Sequence, residues 1–219
     1  STATGIGRVG YRNGDGTGGL GVVYKGVSML YEAALMVGQN STTVSNNARS
    51  ETAIPDENFV ATKRVAKSNK VGFDFYSEGD YWWPDPANSD GPYIQRDGET
   101  NPENFVAHRL AMIRFSEIVG SLASAYTFTK KAQYAKAAIP HFKAWFVDPS
   151  TRMNPSLLYA QAIKGKATGR GIGIIDTIHF LEVVKAMEAL KSQIAPEDYA
   201  AFVAWFKEYV LWMTTHPYG

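Results

Sequence analysis

The sequence predicts a mainly α-helical protein in which helical hairpins follow a β-rich N-terminal segment. In residues 105–216, four long stretches carry apolar residues at helical spacing or on most sides. Residues 1–75 instead combine Gly, Asn and Ser turns with a run rich in β-branched and aromatic residues, and they contain no Trp and no His. We therefore expect two parts, a β-rich segment of unassigned role at 1–75 and a helical domain at 76–219.

The first helix is predicted from its start signals. Thr100 and Glu103 have the spacing of a capping box, and Pro102 would occupy the first turn. The segment 105–128 is apolar on most sides, so this helix should be deeply buried.

Three more helices follow from the pattern. KKAQYAKAAIPHFKAWFVD is amphipathic, and Pro140 should kink it. Residues 172–191 form the third helix, and the fourth opens at Pro196 with Glu197 and Asp198 in its first turn. Consecutive helices joined by loops predict antiparallel hairpins.

The composition and net charge of the chain argue against several classes of function. The net charge of +1 gives no argument for nucleic acid or a membrane surface as partner. No apolar run reaches the roughly 18 residues that cross a bilayer. The chain has no cysteine, which excludes disulfides and thiolate chemistry. It starts STATGIG, without a basic, apolar leader, so we expect a signal peptide to be absent or already removed.

Two long polar loops, at 80–103 and 148–171, are the expected place of function. The first interleaves aromatic residues with Asp and Arg, which is typical of a surface that stacks on sugar rings. Capping of the helical core is the alternative role for Trp82 and Trp83.

The second loop is rich in glycine but is not a phosphate loop. Residues 165–170 do not match G-x-x-x-x-G-K-[ST], the later glycines read GxGxG, and the preceding NPSLLYAQA is not predicted to be a strand. Arg170 lies just before the third helix, where a carboxylate would be held well. Gly171 and Gly173 could equally serve tight backbone packing.

Several long segments in order carry a family resemblance. YWWPDPANSDGPYIQRDGETNPE, LASAYTFTKKAQYAKAA, AWFVDPSTRMNPSLLYAQAIKGKATGRGIGIIDT and WMTTHPYG resemble the N-terminal half of the alginate lyase family, over about residues 78–219. The resemblance implies an (α/α) toroid, export to the periplasm or outside the cell, and β-elimination on an anionic polymer of uronic acids. It implies no metal and no cofactor.

The catalytic groups implied by the resemblance are an Asn-His pair, followed by a Tyr and an Arg. The pair is expected shortly after a helix like 197–214, and no Asn-His dipeptide occurs in this sequence. We therefore expect the catalytic residues beyond Gly219, a truncated toroid, and weak or absent lyase activity of the chain as given. Helix faces left uncovered would favour self-association.

The remaining candidates are substrate-binding residues of the two loops. Asn154 and Gln161 are neutral amides that could donate to a carboxylate, and Tyr159 could stack or donate. Asp176 is expected to pair with an Arg or cap a loop. The substrate-binding candidates are Tyr81, Trp82, Tyr93, Arg96, Asn154, Tyr159, Gln161 and Arg170. We interpret His108, His141 and His179 as structural histidines.

Two other functions stay open. A non-catalytic carbohydrate-binding or surface module would use the same loops without the acid–base groups. A helical glycoside hydrolase would need a carboxylate pair, for which Asp85 and Asp97 are the best candidates.

Overall fold

The computed structural model describes residues 74–219. They fall into two compact units, one with Ala111–Arg152 and Ile178–Ala204, the other with 74–110, Met153–Thr177 and Trp205–Gly219. The predicted β-rich segment lies outside the described residues except for its last two. The elements are β1 (Tyr76–Glu78), β2 (Trp82–Trp83), β3 (Ile94–Gln95), α1 (Ala107–Thr129), α2 (Ala132–Phe146), β4 (Tyr159–Ala162), a 3-10 helix (Gly171–Thr177), α3 (Phe180–Leu190), a 3-10 turn (Lys191–Gln193) and α4 (Pro196–Thr215).

The first unit is built on the hairpin of α1 and α2. Phe115, early in α1, stacks on Trp145 near the end of α2, with ring centres 4.7 Å apart and 7° between the planes. Because residues near opposite ends of the two helices meet, the helices run antiparallel, as predicted. Lys130 makes the turn between them with φ of 57°, and α2 runs through Pro140.

Aromatic side chains join the other helical segments of this unit to the hairpin. Phe202 is fully buried and packs on Phe142 and Phe146, with ring centres 5.7 and 6.3 Å away. Phe180, at the start of α3, packs on Phe146 at 5.8 Å. The core of the unit therefore contains an aromatic cluster. On the outer side of α3, Leu181 is 64% exposed; the predicted self-association stays a prediction.

The first helix begins later than the capping box predicted. The side-chain oxygen of Asn101 accepts from the backbone N–H of Glu103 at 3.0 Å, and its amide donates to the carbonyl of Trp82 at 2.9 Å. These bonds hold 101–104 in a turn, so α1 starts at Ala107 and Thr100 does not cap it.

The predicted third helix, 172–191, is divided. Gly171–Thr177 is a 3-10 helix, and α3 covers only Phe180–Leu190. The Thr177 hydroxyl donates to the carbonyl of Ile174 at 3.0 Å, a local bond that competes with regular helix. Gly173 also lies so close to β4 that an added Cβ would meet the Cβ of Ala160 at 2.5 Å.

Two short sheets organise the second unit. β1 pairs in parallel with β4, and β2 pairs antiparallel with β3 inside the segment predicted as loop. The prediction that NPSLLYAQA holds no strand is wrong, because long-range pairing with β1 makes a strand of its last four residues.

The C-terminal half of α4 is tied to this second unit by two bonds. The Trp205 indole donates to the carbonyl of Met153 at 2.6 Å, and the Tyr209 and Thr177 hydroxyls lie 2.5 Å apart. Within residues 74–219, no helix is both long and apolar enough to cross a membrane.

Candidate functional site

The candidate site lies in the second unit, where the chain leaves β1 and β4. Because the two strands are parallel, both end at the same edge, and the segments after them run side by side. The backbone N–H of Gly79 donates to the carbonyl of Ala162 at 3.0 Å, and that of Tyr93 donates to the carbonyl of Lys164 at 3.0 Å. The loop at 79–99 is thereby fixed against the loop at 163–170.

Basic side chains of the second loop lie over aromatic rings of the first. The Lys166 ammonium is 4.8 Å from the centre of the Trp82 ring, and the Arg170 guanidinium is 5.7 Å from it. Lys164 lies 5.4 Å from the centre of the Tyr93 ring. These distances are within the range of cation–π attraction.

A fourth pair lies within the first loop itself. The Arg96 guanidinium is 5.1 Å from the centre of the Trp83 ring, and the Trp83 indole donates to the carbonyl of Glu99 at 2.8 Å. We call the four cations and three rings of these pairs the basic–aromatic surface: Trp82, Trp83, Tyr93, Arg96, Lys164, Lys166 and Arg170.

The buried carboxylate of Glu78 anchors one cation of this surface. Its Oε1 accepts from the Tyr76 hydroxyl at 2.6 Å, and its Oε2 accepts from the backbone N–H of Phe105 at 2.8 Å. The same Oε2 lies 3.2 Å from the Lys164 ammonium. Burial, reinforced by the Glu78 charge, raises the pKa of Tyr76 far above its usual range. The Tyr76 hydroxyl therefore holds its proton more tightly than an ordinary tyrosine does.

Gln161 in β4 anchors a second cation, Arg170. The guanidinium donates through Nε to the Gln161 carbonyl at 2.7 Å and through Nη2 to its Oε1 at 3.3 Å. Gln161 adopts φ of 57°, which is uncommon for a residue other than glycine. Burial lowers the pKa of Arg170, and the nearby Asp176 charge partly offsets this.

Asp176 lies behind Gln161 and is 2% exposed. Its carboxylate accepts from the Ser77 hydroxyl at 2.5 Å and from the Gln161 amide at 2.9 Å, and it lies 3.7 Å from Arg109. The expectation that Asp176 pairs with an Arg is therefore confirmed. Burial raises the pKa of Asp176, while its bonds to Ser77 and Gln161 and the Arg109 charge act in the opposite direction.

Arg109 also pairs with a second carboxylate. Its two terminal nitrogens donate to the oxygens of Asp80 at 3.0 and 2.6 Å. This bidentate geometry fixes the guanidinium strongly. The Arg109 charge thus serves both Asp80 and the buried Asp176.

The structure brings together four of the eight candidates predicted from the sequence. Trp82, Tyr93, Arg96 and Arg170 all belong to the basic–aromatic surface. Tyr81 precedes it in the same loop and is 41% exposed.

The other three candidates lie along the chain before Arg170. Asn154 donates to Asp74 at 2.8 Å, which engages its amide within the chain. Tyr159 is partly buried in β4, and burial raises its pKa. Gln161 is buried, with its amide held by Asp176 and Arg170.

Lys164 and Lys166 were not among the candidates. The signal for them was Lys-Gly-Lys directly before Arg170, in which Gly165 adopts φ of 77° and turns the chain. Sequence alone does not place such a turn opposite Trp82 and Tyr93.

The contacts of His108 agree with its interpretation as a structural histidine. Its Nδ1 accepts from the backbone N–H of Tyr76 at 2.9 Å, and its ring packs edge-on to Phe105. His141 and His179 are buried. Asp85 accepts from the backbone N–H of Ala87 in a turn. In the described part of the chain, no three His, Asp or Glu side chains form a group that could hold a metal ion.

Comparison with known proteins gives a family match and a similar solved structure. The sequence matches the family described as Alginate lyase over residues 58–219. That match starts before residue 78, where the resemblance was traced from the sequence. No curated protein gives a significant match.

A similar structure is the crystal structure of an alginate lyase from Bacteroides ovatus. It is 32% identical in sequence, with a TM-score of 0.64, and the match covers 86% of this chain and 53% of that one. The chain thus spans about half the length of this relative. This likeness confirms the predicted fold class, which is mainly helical with hairpins of the (α/α) toroid type.

Proposed function

The chain belongs to the alginate lyase family, and from this premise we propose that it acts in β-elimination on a uronic-acid polymer such as alginate or glucuronan. We assign to the basic–aromatic surface the binding of the polymer. An extracellular or periplasmic location fits a substrate of this size, and we propose it for this protein.

The observation that carries the proposal is the pairing of Lys164, Lys166 and Arg170 with Trp82 and Tyr93. Uronic-acid polymers present an apolar sugar face and a carboxylate on every residue. Aromatic rings offer stacking area to the first, and ammonium and guanidinium groups pair with the second. A surface that combines the two types of group matches both features.

The same cations have a role in the chemistry. In β-elimination a base removes the proton at C5, a C4–C5 double bond forms, and the glycosidic oxygen at C4 leaves with a proton from an acid. The C5 proton becomes more acidic when the C6 carboxylate is neutralised, because negative charge develops on that group. Of these cations we assign the supply of this positive charge to Arg170, which is partly buried, because Lys164 is already paired with the carboxylate of Glu78.

The buried tyrosines are unsuited to the role of base. The Tyr76 hydroxyl donates to Glu78, and burial raises its pKa far above the usual range. Burial likewise raises the pKa of Tyr209 to about 12. Both hold their protons more tightly than an ordinary tyrosine does. To residues 74–219 we assign binding and charge neutralisation, not the proton transfers.

The test uses the full-length protein, incubated with polymannuronate, polyguluronate and glucuronan. Ultraviolet absorbance reports the new double bond, a reducing-end assay reports chain cleavage, and calorimetry reports binding. We expect absorbance and reducing ends to rise together on at least one polymer. Reducing ends without absorbance would indicate a hydrolase, and binding without cleavage would indicate a carbohydrate-binding module.

A further inference from the structure

Gln161 is held in an unfavourable backbone conformation by hydrogen bonds to three residues. Its backbone N–H donates to the Ser77 hydroxyl at 2.9 Å, and its Nε2 donates to Asp176 at 2.9 Å. Its carbonyl oxygen and Oε1 both accept from Arg170. A residue other than glycine at φ of 57° persists where the surroundings over-determine it, and such residues cluster at functional sites.

Asp176 decides which way the Gln161 amide points. A carboxylate only accepts hydrogen bonds, so the NH2 end of the amide must face Asp176 and the oxygen must face away from it. The oxygen then meets Arg170. The Ser77 hydroxyl donates to Asp176 and accepts from the Gln161 backbone. Ser77, Gln161 and Asp176 thus form a closed ring of hydrogen bonds, which we call the circuit. The whole circuit is buried.

The circuit fixes one edge of the Arg170 guanidinium. Nε and Nη2 lie on the same edge, and both donate to Gln161. Gly79 closes the space beside that edge, because a Cβ added there would meet Nη2 at 2.7 Å. Within residues 74–219, Nη1 makes no hydrogen bond to another residue. The free end of the group is therefore presented in one orientation, over Trp82.

We propose that Gln161 and Asp176 are positioning residues that orient Arg170 so that its Nη1 end binds one carboxylate of the uronate chain. This rests on the proposed function of the surface. Gln161 acts through Arg170 and does not itself touch the polymer. A guanidinium already held in its binding orientation loses less freedom when the ligand arrives, which raises affinity without a new contact.

The test is a double-mutant cycle of Gln161→Met and Arg170→Ala in the full-length protein. Met keeps the length of the side chain but has no amide. Calorimetry measures affinity for the tetrasaccharide of mannuronate, guluronate or glucuronate that wild type binds best, and for its carboxyl-reduced counterpart. Lys185→Met, an exposed lysine of the other unit, is the matched control.

We expect Gln161→Met to weaken binding of the uronate about tenfold, with no change for the carboxyl-reduced sugar or for the control. In the Arg170→Ala background, Gln161→Met should have no further effect, because the group that it orients is gone. Additive effects of the two changes, or equal loss for the charged and reduced sugars, would overturn the positioning role alone. If wild type binds no uronate, the proposed function fails together with this inference.

Gly79→Ala tests the same idea if Gln161→Met fails to fold. The added methyl would meet Nη2 of Arg170 and Cδ1 of Trp82, each at 2.7 Å, so it displaces the guanidinium and the neighbouring ring while the circuit behind them stays intact. We expect a larger loss for the uronate than for the carboxyl-reduced sugar, and we expect the difference between the two losses to disappear in the Arg170→Ala background. Unchanged uronate affinity in Gly79→Ala would contradict the proposal.

Discussion

The ammonium group of Lys166 lies 4.8 Å from the centre of the Trp82 ring. Lys166 is exposed, whereas Trp82 is half-buried and also lies under Arg170. The ring that was predicted to stack on sugar is therefore flanked by positive charge. Stacking and charge pairing can occur at the same point of a uronate chain.

Replacing Lys166 with Met should weaken uronate binding a few-fold, because one attractive charge is lost from the surface. The loss should be largest at low salt, since an exposed charge is screened at ionic strengths where the Debye length falls to about 3 Å. The unfolding free energy should stay within about 0.5 kcal/mol of wild type, as for most exposed substitutions. Calorimetry at two salt concentrations measures the first effect, and urea denaturation the second. An equal loss of affinity at low and high salt would show that the charge is not the cause.

Replacing Asp176 with Asn should change how stability depends on pH. Burial raises the pKa of Asp176, so the folded state holds this proton more tightly than the unfolded state. Its contribution to the unfolding free energy is complete below the ordinary carboxyl pKa of about 4 and is lost as pH rises through the folded pKa. The unfolding free energy of Asp176→Asn should therefore increase relative to that of the wild type as pH rises from acid to neutral.

Urea denaturation of both proteins at several pH values from acid to neutral checks this sign. Asp97→Asn is a suitable control, because Asp97 is exposed on the first loop. If the wild type instead becomes more stable relative to Asp176→Asn as pH rises, the hydrogen bonds and charge around the carboxylate outweigh the cost of its burial.

Replacing Glu78 with Gln should destabilise the second unit. Both carboxylate oxygens of Glu78 accept hydrogen bonds, from Tyr76 and from Phe105, and one also pairs with Lys164. An amide would turn one of these acceptors into a donor that faces another donor. We expect a loss of about 1–3 kcal/mol in the unfolding free energy, the range for an unsatisfied buried group. Glu99→Gln, at an exposed glutamate, is the control in the same urea titration, and losses of equal size in the two variants would contradict the anchoring role.

Replacing Phe202 with Ala tests the aromatic core of the first unit. The side chain is fully buried against Phe142 and Phe146, so truncation leaves a cavity between them. We expect a loss of about 3–5 kcal/mol in the unfolding free energy, measured by urea denaturation. Phe128→Ala removes the same group from a position that is 63% exposed and should have little effect. Similar losses at the two positions would place the core elsewhere.

The helices could be predicted from the sequence because their signals are local. The antiparallel hairpin of α1 and α2 and the start of α4 at Pro196 follow from apolar spacing and turn residues. The strand at 159–162 could not be predicted, because its partner lies some eighty residues earlier in the chain. The division of the third helix could not be predicted either, because it depends in part on the close approach of Gly173 to β4.

The candidate site, too, could be predicted from the sequence only in part. Trp82, Tyr93, Arg96 and Arg170 could be chosen by residue type and loop position. The orientation of Arg170 by Gln161, and the pairing of Lys164 with Glu78, depend on contacts between the two loops and the strands before them. Residue type alone suggested that Gln161 faces the ligand, whereas its amide is turned toward Asp176 and Arg170.

The central claim is that the basic–aromatic surface recognises the carboxylates of a uronate chain. It is tested most directly by one calorimetric comparison, in which the full-length protein is titrated with a uronate tetrasaccharide and with the same sugar after its carboxyl groups are reduced. We expect the uronate to bind at least about tenfold more tightly, and its advantage to shrink as salt is added. Equal affinity for the two sugars, or no binding of either, would contradict the claim.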